Sequence, residues 1–353
     1  MAQSSDELIK REIIQVVGYS RNDCRLRIFP EGSNDDQKLV SDGGLTFQSD
    51  TVSYGSCDAG WFYEENNKWI PFIGLEGTDA LNRGSSGNAQ YQRFHHALGA
   101  VKEGYIGVYY LRKGNSIIQP DLYGMAYNAS ITEKGIYLII NDLKVINDLL
   151  DLRLMPIELK KYINDYLIKM KNIYDSSFDS KYKGDWDFFA KKRSTIIKPN
   201  YVIKHAARMI RNFTDGSQRA GHIAVGEMYL TKYFFPNKMF YYLFPKMTQD
   251  DINYLDKNKS NDKEWYLLRN EPNVKIVSID ELINVPEIIK NNLIKIKDLP
   301  TKGDEKKIYT SCVKKIEEGL INGRITIKNI NNLSNNSNYK LKDDELGMVA
   351  EPE

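Results

Sequence analysis

Residues 58–76 read as a strand, a turn and a second strand, and this unit constrains the fold more than any other stretch of the chain. Trp61, Phe62 and Tyr63 are strand formers, Glu65-Asn66-Asn67 supplies a turn, and Trp69 to Leu75 is a second strand-like run. Folded about Asn66, the hairpin has Asp58 eight residues before the turn and Glu76 ten after it, so the two carboxylates meet at its open end. Glu76 closes a largely apolar run (Trp69, Ile70, Phe72, Ile73, Leu75) and so stands at the boundary of a buried sheet. A carboxylate there costs on the order of several kcal/mol unless a cation or hydrogen bonds compensate it. Two acidic groups converging beside a Gly- and Ser-rich loop suit a magnesium ion held against a phosphate. Pro71 implies a bulge or an edge at its point in the second strand.

The loop Asn82-Arg83-Gly84-Ser85-Ser86-Gly87-Asn88 leads into a helical pattern from Ala89 to Lys102, in which Phe94, Ala97, Leu98 and Val101 form one buried stripe. Ser86 or Asn88 is placed to cap its start. Off the stripe lie Gln90, Gln92, Arg93, His95 and His96. Helix N-termini attract phosphate, and Asn, Gln and Arg read adenine and guanine edges, so Arg83, Ser85, Ser86, Asn88, Gln90, Gln92 and Arg93 are candidate DNA contacts. His95 and His96 read as packing or phosphate residues. A strand from Tyr105 to Leu111 follows.

An Asp opening one hairpin strand, a Glu on the next and a third residue two positions on resembles the PD-(D/E)xK nuclease superfamily, and type II restriction endonucleases within it. The chain offers Asp58, then Glu76-Gly77-Thr78, with Thr78 where the family usually has Lys. The resemblance covers about residues 40–115. It implies an α/β fold: a central mixed β-sheet flanked by helices, a restriction-endonuclease-like core, with a second largely helical or α/β region. It further implies a sequence-specific, Mg²⁺-dependent endonuclease acting on double-stranded DNA, with Asp58 and Glu76 as metal ligands, Thr78 orienting water, and Arg83 or Arg93 stabilising charge on phosphate. A homodimer on a palindromic site follows from the resemblance and from the symmetry of duplex targets. A repair or RNA-directed nuclease of the same fold, or a non-catalytic nucleic-acid-binding module, stays open.

Net charge is +2, from 49 basic and 47 acidic residues, which neither demands nor excludes a nucleic-acid partner, because basic groups can be confined to one cleft. Three scattered cysteines (Cys24, Cys57, Cys312) argue against a disulfide framework and for a reducing, cytoplasmic setting. The four histidines show no zinc-ligand spacing, no apolar run approaches a membrane span, and no Walker loop, GxGxxG–helix unit or GxSxG elbow supports a nucleotide cofactor or an esterase.

Residues 1–140 are expected to form the nuclease core, 141–328 a second region for recognition or dimerisation, and 329–353 a polar, Asn-rich tail. Residues 5–17 read as an amphipathic helix with Leu8, Ile13, Ile14 and Val17 inward, and Glu7 or Glu12 either reaches the metal site or lies on a solvated face. Asp42 and Asp50 compete with Asp58 for the catalytic place. Further on, helices are expected at 143–153, 156–174 and 202–213, a strand at 240–244, a helix from about Thr248, and a strand at 274–279. The basic stretch 203–220 is either a phosphate contact or a solvated helix face.

Overall fold

In the computed structural model, helix α1 (Ser5–Val16) buries Ile9 and Ile13 completely, with Val17 buried just beyond its end. The i, i+4, i+8 stripe is thus Ile9, Ile13 and Val17, and Leu8 and Ile14 flank it half-buried. The structure describes residues 5–28, 46–49, 52–79, 90–91, 93–112, 118–193, 195–197, 199–205, 224–243, 249–257 and 263–277.

The chain divides into two compact units, 1–180 and 181–353, a division well past the expected boundary near 140. In the first unit, strands β1 (Ser20–Arg21), β2 (Cys24–Ile28), β5 (Ala59–Glu65), β6 (Lys68–Thr78), β7 (Ile106–Leu111) and β8 (Ile136–Ile140) form one six-stranded sheet in the order β1-β2-β5-β6-β7-β8. Strands β3 (Thr46–Ser49) and β4 (Val52–Ser56) pair separately. The sheet is antiparallel from β1 to β6 and parallel from β6 to β8, so it is mixed. Helix α2 (Phe94–Lys102) carries the chain from β6 to β7, and α3 (Pro120–Thr132) from β7 to β8, as parallel pairing requires. This is an α/β architecture.

Glycine sets the distance between α2 and the sheet. A Cβ at Gly107 would lie 2.4 Å from the Ala97 carbonyl oxygen and 2.6 Å from Val101 Cγ2, so only a bare backbone lets the helix sit so low on β7. Tyr137 stacks on Phe94 and donates its hydroxyl to the Phe94 carbonyl at 2.5 Å, fastening the first turn of α2.

Helices α4 (Lys144–Leu152) and α5 (Pro156–Tyr182) complete the first unit, α5 running past the expected end at 174 with its last two residues, Lys181 and Tyr182, in the second unit. Strand β8 ends the sheet, and α5 covers it. Ile139 donates its N–H to Met170 Sδ at 3.4 Å, and Tyr166 donates its hydroxyl to the Ile139 carbonyl at 3.0 Å.

In the second unit, helix α6 (Trp186–Lys192) precedes a four-stranded sheet of order β12-β11-β10-β9, made of β9 (Thr195–Ile197), β10 (Tyr201–His205), β11 (Met239–Leu243) and β12 (Val274–Val277). Strands β10, β11 and β12 are parallel, and β9 is antiparallel to β10. Helix α7 (Ala224–Phe234) lies between β10 and β11 in the chain, and α8 (Gln249–Lys257) and α9 (Lys263–Asn270) between β11 and β12. The helix expected over 202–213 is therefore corrected at its start. Tyr201, Val202 and Ile203 are β-prone and follow Pro199, and they pair with β11 instead; residues 206–213 lie outside the described residues. Inside this unit Lys204, Glu227 and Tyr242 form a buried polar trio, with Lys204 Nζ 3.4 Å from Glu227 Oε1 and the Tyr242 hydroxyl donating to Glu227. Among the described residues no helix is long and apolar enough to cross a membrane.

Candidate active site

The hairpin turns at Asn66-Asn67, where both residues have positive φ (51° and 59°) and Glu65 pairs with Lys68. This is the type I′ geometry, whose twist matches the flanking strands and which Asn tolerates better than most residues. From the turn, β5 and β6 pair regularly as far as Phe62 opposite Pro71, and the next pair is Trp61 with Ile73. Phe72 is the extra residue of a β-bulge. Strand β7 begins pairing with β6 only at Ile73, so Pro71 lies on the half of β6 that has a single neighbour, where its missing N–H is harmless.

Beyond the bulge the register runs to Ala59 opposite Leu75, and the next residues in line are Asp58 and Glu76. Both residues thus stand at the open end of the hairpin, and Thr78, two residues on, shares the face of Glu76. Gly77 between them donates its N–H to Asp58 Oδ2 at 2.9 Å. A Cβ at Gly77 would lie 2.6 Å from Ile9 Cγ2 and 3.7 Å from Asp58 Oδ2, so glycine allows α1 and the Asp58 loop to close on this strand.

Glu76 is 1% exposed and is compensated from α2. Arg93 Nη1 donates to Glu76 Oε1 at 3.0 Å and lies 3.5 Å from the Gly77 carbonyl oxygen, while His96 Nδ1 is 3.3 Å from Glu76 Oε2. Helix α2 begins later than expected, with Arg93 at its N-cap position and no side-chain cap; Gln90 and Tyr91 belong to a preceding helical turn. That offset places Arg93 and His96, three residues apart, over the carboxylate. His95 is buried, with its ring edge-on to His96 at 4.3 Å.

Tyr109, on the neighbouring strand opposite Glu76, is fully buried. Burial holds its phenol well above the ordinary value, the Glu76 charge adds to the shift and the Arg93 charge opposes it. The Thr78 side chain approaches the Tyr109 hydroxyl, but the contact falls short of hydrogen-bond geometry. At the edge of the site, Arg112 donates its backbone N–H to the Thr78 carbonyl at 2.9 Å. Its Nε donates to Glu12 Oε2 at 2.8 Å and its Nη1 to Asp79 Oδ1 at 3.4 Å. Glu12 is thus held beside the third motif residue, and the Glu7 side chain lies outside the described residues.

Other expected residues fare differently. Gln90, a candidate DNA contact, is completely buried and accepts the Gln119 N–H on Oε1 at 3.0 Å, so it fixes the entry to α3 and cannot reach a duplex. Arg93 points at Glu76, with 37% of its side chain exposed. Arg83, Ser85, Ser86, Asn88 and Gln92 lie outside the described residues, as do Asp42, Asp50, residues 206–220 and the tail 329–353. Lys68 pairs with Glu65 at the turn, the far end of the hairpin from Asp58. The sequence reading gave His96 no part in holding Glu76, and it passed over Tyr109 and Arg112. Only the spacing Arg93–His96 on one helix face signalled the first.

Oxygen donors dominate the site: the Asp58 and Glu76 carboxylates and the Gly77 carbonyl. One guanidinium nitrogen already approaches two of these oxygens, which marks a point where positive charge is matched. No group of three or more His, Cys, Asp or Glu side chains converges among the described residues. Carboxylate and carbonyl oxygens are the donor type that Mg²⁺ accepts, its shell being completed by water and substrate phosphate. Comparison with protein-family models, with curated proteins and with solved structures finds no match to this chain.

Proposed function

We propose that the first unit is a restriction-endonuclease-like core and that the protein is a Mg²⁺-dependent endonuclease acting on double-stranded DNA. The observation that carries this reading is the place of Asp58 and Glu76 just beyond the last β5–β6 pair, with the Gly77 N–H donated to Asp58 Oδ2 and Thr78 in the i+2 place on the same strand. An N-terminal helix, an antiparallel meander (β2, β5, β6), a helix and a parallel strand support the same core. Asp58, Glu76 and the Gly77 carbonyl would hold the cation. Mg²⁺ bound there supplies Lewis-acid polarisation of the scissile phosphate and acidifies water.

The chain's own residues then divide the work. Thr78 lacks a charge, and Arg93 is the nearest cation to the carboxylate pair. Its guanidinium, partly exposed beside Glu76, is placed to take a phosphate oxygen, where it would stabilise charge that grows along the reaction. His96, with Nδ1 3.3 Å from the other carboxylate oxygen, orients Glu76. Tyr109, kept neutral by burial, closes the floor of the site against water.

Incubation of the purified protein with plasmid and phage DNA, in Mg²⁺ or in EDTA, tests the reading beside Glu76→Gln and Asp58→Asn. Discrete fragments that require Mg²⁺ and vanish in both variants are expected. A second reading, a non-catalytic nucleic-acid-binding module, draws on the engagement of both Glu76 oxygens by Arg93 and His96. DNA binding in EDTA with no cleavage of any substrate would replace the first reading by the second.

A further inference from the structure

The second unit carries a surface that the carboxylate site does not use. Trp186 and Phe188, on the first turns of α6, expose 43% and 41% of their surface, large values for such side chains. They cap an aromatic cluster. Trp186 lies 5.7 Å from Phe189, 5.2 Å from Phe234 and 5.5 Å from Phe235 between ring centroids, and Phe188 lies 5.9 Å from Tyr182. Buried Phe189 and Tyr182 anchor the cluster from below, so its outer rings are held rather than loose.

Cations fringe it on two sides. Lys238 Nζ stands 5.0 Å from the centroid of Phe235, and Lys181 Nζ 5.6 Å from that of Tyr182. Residues 181–200 hold six Lys and Arg against two Asp, a net +4 within twenty residues of a chain whose total is +2. One of the two, Asp185, accepts the Phe188 N–H at 3.0 Å and so serves the start of α6.

An apolar patch flanked by ammonium groups selects a polyanion that also presents flat aromatic faces. A protein helix supplies few such faces, and a duplex hides its own by stacking. Single-stranded nucleic acid supplies both, with bases on one side of a charged backbone. We propose that the Trp186–Phe188 surface binds single-stranded nucleic acid, its bases stacking on the two exposed rings and its phosphates meeting Lys181 and Lys238. The proposal does not rest on the nuclease reading, since the surface lies in the other unit and needs no metal.

The experiment uses the full chain in EDTA with a fluorescein-labelled twelve-nucleotide DNA strand, read by anisotropy across a salt series and by tryptophan emission. Quenching on binding is expected, with Trp186→Leu weakening affinity on the order of tenfold or more. Lys181→Gln with Lys238→Gln should leave the quenching and lower the salt slope by roughly one to two. Phe188→Ala, at the second exposed ring, gives the stacking arm again should Trp186→Leu fail to fold. Unchanged affinity in the Trp186 or Phe188 variants, or an unchanged salt slope in the double lysine variant, would overturn the proposal. So would equal binding of the same sequence as a duplex, because stacking would then play no part. Repeating the titration with Asp58→Asn separates the two readings: binding that persists there and falls in Trp186→Leu belongs to this surface, whether or not the unaltered protein cleaves DNA.

Discussion

Ala59 stands opposite Leu75, one position further along β6 than uninterrupted pairing from the Asn66-Asn67 turn would set. Counted from Glu65 opposite Lys68 without a break, Leu75 would face Asp58 and Glu76 would point to the other side of the sheet. The bulge at Phe72 supplies the missing residue, and a one-residue change of register flips every side chain that follows. With Phe72 present, the placement of Glu76 opposite Asp58 therefore needs a bulge about four residues' rise, or ~13 Å, away.

Deleting Phe72 should leave the pair intact, because Pro71 would still meet Phe62 and Ile73 would still meet Trp61, now without the bulge. Mg²⁺-dependent cleavage is expected to persist in the deletion variant. Loss of cleavage with the fold retained by circular dichroism would show that the bend, and not the register alone, sets the site.

Arg93→Ala removes the nearest cation from a carboxylate that is 1% exposed. Because Arg93 itself is partly in solvent, the expected loss in metal-free stability is about 1–3 kcal/mol, less than for a fully buried pair. Added Mg²⁺ should then raise the melting temperature more in the variant than in the unaltered protein, since the ion no longer displaces a guanidinium. Equal increments in thermal scans would contradict the shared position of Arg93 and the metal.

Gly107→Ala drives a Cβ into the Ala97 carbonyl, which belongs to a helix backbone and cannot yield alone. Helix α2 must lift, at a cost of about 1–3 kcal/mol, and Arg93 and His96 lift with it. The expected result is a larger fall in cleavage than the stability loss explains, measured well below the melting temperature. Full activity in a destabilised variant would detach α2 from the chemistry.

The trio in the second unit makes a separate prediction. Burial lowers the Lys204 ammonium below its ordinary 10.5, with Glu227 opposing the shift and Arg193 adding to it. Between the lowered value and 10.5 the unfolded chain binds more protons than the folded one, so stability should rise with pH through that window. Lys204→Met strands the Glu227 carboxylate, should cost about 3–5 kcal/mol and should remove the rise through that window, whereas adding Glu227→Gln should recover most of the lost stability. Urea melts of both variants at two pH values decide it.

Much of the first unit was legible because its signals are local. The hairpin, its turn, the Pro71 irregularity and the strand at 106–111 rest on β-formers bounded by turn residues. Helix α3 left no such mark: Leu122, Gly124, Met125, Ala126, Asn128 and Ala129 are all buried, so it has no single apolar stripe to read. The stripe of α1 was read one residue off, since Leu8, Ile9, Ile13 and Ile14 offer two overlapping faces and only the sheet selects one. At the site, Asp58 and Glu76 follow from strand counting, but the orientation of Gln90 does not. It is polar and lies in a polar stretch, yet it turns inward because the Gln119 N–H at the entry to α3 needs an acceptor.

The cover that α5 gives to β8 has a consequence for how the chain can be cut. The Ile136–Ile140 segment, IYLII, is apolar, lacks proline and charge, and is the last strand of its sheet. Such a strand templates addition of further chains unless its outward backbone groups are occupied. Met170 and Tyr166 occupy those of Ile139, from a helix that starts sixteen residues beyond the strand. A fragment ending before Pro156 would keep every residue of the hairpin and still expose this edge, and it should form insoluble, thioflavin-positive aggregates where the chain extended through Tyr182 does not.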